Sequence, residues 1–204
     1  MAAHDRHVRE VIGRSIRAWA LHAIGVGAAS TQLTEAERTA VAKHARNRRR
    51  LVEIGVMHGA TTRLLCDVKA PDGVVYGIDP FQAGRLGVSF ERLIAIREVR
   101  RSGKPGVRFL RALSTDAAVG WTTPIDFLFI DGDHSWQGIS DDWRLWAPWI
   151  SPGGIVALHD SCSVPGRADQ DSVRFTNEVV LPDPRFRAID QVDSLTVLER
   201  IASP

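Results

Sequence analysis

Short, nearly unbroken apolar runs recur along the chain: LVEIGV at 51–56, VVYGID at 74–79, VRFLRAL at 107–113, IDFLFID at 125–131 and GGIVALHD at 153–160. Between them lie stretches with helical spacing: GATTRLLCDVKA, SFERLIAIREVRRSG (stopped by Gly103 and Pro105), SWQGISDDWRLWAPWI (helical up to Pro148) and SVRFTNEVVL. A continuous apolar run bounded by turn residues reads as a strand buried on both faces, and a three-to-four-residue period reads as a helix packed on one side. Two later runs, RFRAIDQV and SLTVLERI, parted near Asp193, predict a closing antiparallel pair. Upstream, LTEAERTAVAKHAR opens on Thr34 with Glu37 three positions on, a capping-box pattern, and Ala36, Val41 and Ala45 can supply its inner face. VREVIGRSIRAWALHAIG predicts a further helix ending near Gly25 or Gly27.

Strands alternating with helices predict an α/β fold, a Rossmann-like, doubly wound, mostly parallel seven-stranded sheet closed by an antiparallel pair, with extra N-terminal helices. Residues 1–33 read as an N-terminal helical extension and 34–204 as the domain. Ligands of such sheets bind at the carboxyl ends of the strands. Functional residues are therefore expected directly after each apolar run, where the chain carries Gly55 to Gly59, Asp79, Ser114 to Asp116, Asp131 to His134 and His159 to Ser161.

A length of 204 residues suits one domain. The formal net charge of +2 implies no polyanionic partner, and ARNRRR at 45–50 reads as a solvated helix end, so no nucleic acid is expected. Cys66 and Cys162 form no metal-binding or disulfide pattern and fit reduced thiols in a cytoplasmic protein. The N-terminal stretch has no apolar core like a signal peptide, and no run approaches the roughly 18 apolar residues of a membrane span.

Glu53, Gly55 and Gly59 form E-x-G-x-x-x-G at a strand-to-helix turn. Gly55 can supply a positive φ, and Gly59 can let a ligand approach the backbone. Met57 stands where a dinucleotide fingerprint would place its second glycine. Asp79 ends the next strand, where a carboxylate can accept both hydroxyls of a ribose. Glycine loop and acid together point to a nucleoside-type ligand.

These stretches, with IDFLFIDGDHSWQGISDDWRLWAPWISPGGIVALHDS, resemble class I S-adenosylmethionine-dependent methyltransferases, and more closely the small bacterial O-methyltransferases of saccharide and secondary metabolism. The resemblance spans roughly residues 34 to 200. It implies that the loop around Gly55 holds the methionine part of S-adenosylmethionine, that Asp79 binds the ribose and that Ser114, Thr115 or Asp116 lies near the adenine, Ser114 being the one taken. Glu53, Gly59 and Asp131 complete the expected cofactor set.

Methyl transfer to an alcohol needs a base or a cation, because an aliphatic hydroxyl is a poor nucleophile at neutral pH. His134 is the expected base, with Asp131 as the second catalytic residue. Asp131 and Asp160 end neighbouring strands and are candidate ligands of Mg²⁺. Catechol-type O-methyltransferases are similar at FIDGDH, their first acid holding the metal and a lysine standing at the His134 position. Ser161 fills the place where that group has a second oxygen ligand after its acid. Trp136 and His159 are expected at the acceptor pocket, and Trp143, Trp146 and Trp149 in the core. The expected partner is a small-molecule hydroxyl, with a homodimer contact or a cover over the pocket as uses of the N-terminal helices. An aminopropyl transferase, a metal-dependent hydrolase built on Asp131, His134 and Asp160, and a non-catalytic cofactor-binding module are the competing readings.

Overall fold

The computed structural model describes residues 29, 31–84, 87–163 and 170–201. The expected helix over VREVIGRSIRAWALHAIG lies outside them. From residue 35 onward the elements are α1 (Glu35–Ala45), β1 (Arg50–Ile54), α2 (Ala60–Val68), β2 (Val74–Ile78), α3 (Phe90–Arg100), β3 (Val107–Leu110), α4 (Ser114–Ala118), β4 (Ile125–Ile130), α5 (Trp136–Trp146), β5 (Ile150–Leu158), α6 (Asp171–Phe175), β6 (Phe186–Val192) and β7 (Leu195–Arg200). A 3₁₀ turn, Ala147–Trp149, extends α5 through Pro148, and a π turn, Thr176–Val180, extends α6.

The seven strands form one sheet in the order β3-β2-β1-β4-β5-β7-β6. The first five are parallel, and β7 runs antiparallel to both β5 and β6, as the two closing runs predict. Side chains alternate across β4. Phe127 and Phe129 pack with Val41, Leu51 and Leu65 on one face, while Leu128 and Ile130 pack with Ile139, Trp143 and Trp146 on the other. Both faces are buried, which is why β4 reads as continuous apolar sequence.

Helix α1 begins at Thr34, whose hydroxyl accepts the Glu37 N–H at 3.1 Å while the Glu37 carboxylate accepts the Thr34 N–H at 2.8 Å. Its inner face differs from expectation: Ala36 is exposed, and Glu37, Ala40, Val41 and Ala45 are buried. The Glu37 carboxylate is stabilised inside because it also accepts the backbone N–H and the hydroxyl of Ser194, at 2.9 and 2.7 Å. Helix α4, absent from the apolar pattern, is a single short turn with no buried residue.

Candidate active site

Chain order reverses its direction of growth between β1 and β4, and the crevice at their carboxyl ends is where a doubly wound sheet binds ligands. The ladder continues past the strands there. Gly55 N–H donates to Ile78 O (3.0 Å), Asp131 N–H to Ile54 O (2.9 Å) and His159 N–H to Ile130 O (3.0 Å). The first loop is pinned against Asp131: Gly55 has φ +86°, and a Cβ there would stand 2.0 Å from the Asp131 carbonyl oxygen. Only glycine fits that approach. Gly59 has a different task from the one expected. It lies outside the cavity lining, and a Cβ on it would stand 2.9 Å from Cα of Ala95, so it lets α2 and α3 pack closely.

A cavity of about 630 Å³ opens at this crevice, and Glu53, Gly55, Asp79, Ser114, Asp131 and His134 all line it. Thr31 and Gln32, upstream of α1, border it as well. Glu53 is buried, and the Thr62 hydroxyl donates to its carboxylate at 2.5 Å. Burial raises the Glu53 pKa well above the usual carboxylate value. The Thr62 hydrogen bond opposes this, and the charges of Asp131 and Asp79 add to it. Asp79 accepts the N–H groups of Val56 and Met57 on Oδ2 (both 3.0 Å) and that of Phe81 on Oδ1 (2.6 Å), so it fixes the loops after both β1 and β2. Phe81 is buried against Phe109, with ring centroids 5.7 Å apart.

His134 Nε2 lies 3.7 Å from Asp131 Oδ1 and 3.7 Å from Asp160 Oδ2, with about a third of its side chain exposed. Behind it, His159 Nδ1 meets Asp131 Oδ1 at 2.8 Å, and its Nε2 lies 3.6 Å from Glu37 Oε2. Burial disfavours charge on His159, but the Asp131 hydrogen bond and the charges of Asp131, Asp160 and Glu37 outweigh it and raise its pKa. His159 therefore does not line the acceptor space; it is a buried support for Asp131. Trp136 also turns away, stacking edge-on against Phe175 at 5.2 Å beneath the Arg174 guanidinium, which lies 4.6 Å from its ring centroid. The sequence placed it two residues after His134, but the start of α5 directs it towards α6.

The two candidate metal ligands come close to one another, yet their surroundings do not fit Mg²⁺. His134 occupies the space facing both carboxylates, and Asp131 Oδ1 is already bonded to His159. The Ser161 hydroxyl points into the interior, donating to Leu158 O at 2.7 Å and accepting the Thr196 N–H at 3.0 Å. Among the described residues, no group of three or more His, Cys, Asp or Glu is arranged to hold a metal ion. Magnesium is commonly held by one or two carboxylates with waters completing its octahedron, so the misfit lies in the His134 ring set against both acids and in the bond from Asp131 to His159.

Sequence reasoning missed Asp142. It is 2% exposed, borders the cavity from α5 and is bonded by the Ser114 hydroxyl. Burial pushes its pKa up to about 6, with the Ser114 bond opposing and the charges of Asp133 and Asp141 adding to the rise. Its spacing with Ile139 and Trp146, three and four residues away, put it on the buried face of α5.

Residues 52–161, from β1 to the end of β5, match the family described as a methyltransferase domain. The chain belongs to this methyltransferase family. A Sinorhizobium fredii protein is 30% identical over 129 residues, 58% of this chain, and the match spans only 14% of that protein's length. In fold, the chain is similar to a Corynebacterium glutamicum protein (TM-score 0.67, 17% identity, 95% of this chain and 90% of that one). It is also similar to the O-methyltransferase TomG of Streptomyces achromogenes, solved in complex with SAM (TM-score 0.64, 17% identity, 95% and 90% covered). No helix among the described residues is long and apolar enough to cross a membrane, and Cys66 and Cys162 are buried and unpaired.

Proposed function

We propose that this methyltransferase moves the methyl group of S-adenosylmethionine to a hydroxyl of a small molecule, a saccharide or a natural product, with His134 as general base. The observation that carries the proposal is the position of His134 Nε2. It is open to the cavity and faced by two carboxylates, on the same rim as the glycine loop and Asp79. The residues fit the cofactor. Gly55 lines the cavity, buried Glu53 suits the α-ammonium of a methionine part, and Asp79 is a strand-end acid placed for a ribose. The fold shared with TomG, an O-methyltransferase solved with SAM, supports the same reading.

Bound S-adenosylmethionine supplies a methyl group already activated by its sulfonium. The chain's own task is alignment and proton removal. His134 Nε2 accepts the acceptor's hydroxyl proton as the oxygen becomes nucleophilic. The resulting imidazolium is stabilised by Asp131 and Asp160, each 3.7 Å away. Asp131 is held in turn by His159, so the carboxylate keeps its orientation while His134 changes charge. A hydrolase built on the same acids would need a metal that this donor set does not fit, and would leave Glu53, Gly55 and Asp79 without a role.

The test is a labelled-methyl transfer screen over sugars, phenols and polyketides, with chelator or with magnesium. Wild type should label a hydroxyl acceptor and keep its rate in chelator. His134→Ala should lose about 100-fold or more in kcat, with S-adenosylhomocysteine affinity within about twofold. Survival of turnover within a few-fold removes His134 as the base, and activity lost in chelator and restored by magnesium puts the metal back between Asp131 and Asp160.

A further inference from the structure

An acceptor whose hydroxyl reaches His134 also meets the groups beside that base. Asp133 precedes His134, lines the cavity and has none of the roles above. Its Oδ1 accepts the Ser135 N–H at 2.9 Å, whereas its Oδ2 has no hydrogen-bond or ion-pair partner among the described residues. Gly138, in the first turn of α5, makes room for this carboxylate: a Cβ there would stand 2.6 Å from Cγ and 2.7 Å from Oδ2 of Asp133. The side chain is therefore anchored through one oxygen and set against the helix, with the other oxygen open to a donor. The surroundings are acidic as well. Asp131 and Asp160 each face His134 at 3.7 Å, and Asp141 and Asp142 line the cavity from α5. Asp141 is engaged by Gln137 and Arg144, at 2.7 and 2.9 Å. Asp142 is 2% exposed, and its Oδ2 has no hydrogen-bond partner among the described residues. Burial raises its pKa, and the charge of Asp133 adds to the rise. A crevice lined by one sign of charge concentrates ligands of the opposite sign and disfavours those of the same sign.

We propose that Asp133 receives an ammonium group of the acceptor, so that the substrates of this site are amine-bearing hydroxyl compounds, amino sugars or hydroxylated amines, in preference to neutral or anionic ones. The inference rests on the proposed O-methylation at His134 and narrows its acceptor class. An ammonium gives Asp133 Oδ2 a charge-assisted hydrogen bond, which is stronger than a neutral one. A phosphate or carboxylate in its place would face Asp133 together with Asp131 and Asp160. The contact also directs the reaction. An amine held protonated against a carboxylate has no free electron pair, so the methyl group passes to the hydroxyl: the S–C bond breaks, the O–C bond forms, and the hydroxyl proton goes to His134 Nε2 while the ammonium keeps its own protons.

Labelled-methyl transfer to matched acceptors tests this: the methyl glycosides of glucosamine, glucose and glucuronic acid, and tyramine, tyrosol and p-hydroxyphenylacetate. Within a set, wild type should prefer the amine-bearing member over the neutral one by at least about tenfold in kcat/KM, as expected for one charged contact. The carboxylate member should be the poorest, the label should be recovered on oxygen, and added salt should erode the preference. In Asp133→Asn the amide oxygen can still accept the Ser135 N–H, and the ratio of amine-bearing to neutral acceptor should fall towards one. Gly138→Ala, a second variant should Asp133→Asn fold poorly, keeps the charge but displaces the carboxylate, and should lower the same ratio. Preference for the neutral or carboxylate member, no labelling of any amine-bearing member, label recovered on nitrogen, or a ratio that both variants leave unchanged overturns the assignment. S-adenosylhomocysteine binding by the same preparations leaves the methyltransferase reading intact in each of those cases, and wild type that binds none overturns both.

Discussion

Replacing Asp142 by Asn should change how stability depends on pH, and the size of the change follows from the burial of this side chain. In the folded protein its pKa is pushed from 3.8 to about 6, chiefly by burial. At ~1.36 kcal/mol per pH unit, this displacement amounts to about 3 kcal/mol. Below about pH 3 the carboxyl is protonated in folded and unfolded chains alike, and the contribution is fully present. Between about pH 4 and 6 the unfolded chain releases the proton while the folded chain keeps it, so stability falls as pH rises. Above about pH 7 both forms are ionised and the full amount has been lost. Asn does not titrate. Urea unfolding of both proteins from pH 4 to pH 8 should therefore show the variant gaining on wild type by about 2–3 kcal/mol across that range. Because burial is the largest cause and the charges of Asp133 and Asp141 are smaller ones, 1 M salt should leave most of the difference in place. A stability difference that is flat with pH, or that grows towards acid, would refute the reasoning.

Two further outcomes follow from the same crevice. Gly55→Ala should lose more stability than the ~1–2 kcal/mol of a left-handed backbone alone, because its Cβ would meet the Asp131 carbonyl at 2.0 Å, and it should bind no S-adenosylhomocysteine; wild-type stability and binding would contradict the close packing of β1 against β4. Cofactor binding should release protons in the pH interval between the Glu53 pKa of the free protein, raised by burial, and the lower one that a nearby α-ammonium imposes; calorimetry across pH in buffers of different ionisation enthalpy measures this, and Glu53→Gln should abolish the release, whereas an unchanged release would move the source elsewhere.

The sheet was legible because its parallel strands are buried on both faces, so β1, β2, β4 and β5 are written as apolar runs and their polar ends mark the rim. Position along the chain therefore located Glu53, Gly55, Asp79, Ser114, Asp131 and His134 at one cavity. Direction was harder to read. Trp136 and His159 lie beside site residues in sequence but face α6 and α1, a choice made by packing across elements that spacing does not encode. Gly59 was legible as a required glycine but not as one required by a helix contact. The burial of Glu37 and Asp142 was not legible because acids on amphipathic helices normally face water. Both sit on the buried faces of α1 and α5, where hydroxyl and backbone donors from distant segments receive them. For Asp142 the helical period carried the signal; for Glu37 the capping box explained the residue locally and concealed its second contact with Ser194.

The central claim is that one rim joins the cofactor loop to His134, and a crystal structure of the protein with S-adenosylhomocysteine tests it most directly. The homocysteine part is expected beside Glu53 and the Gly55 loop, the ribose at Asp79, the adenine near Ser114 and the sulfur on the side of the cavity that His134 Nε2 faces. A ligand bound elsewhere, or one seated with its sulfur turned away from His134, would contradict it.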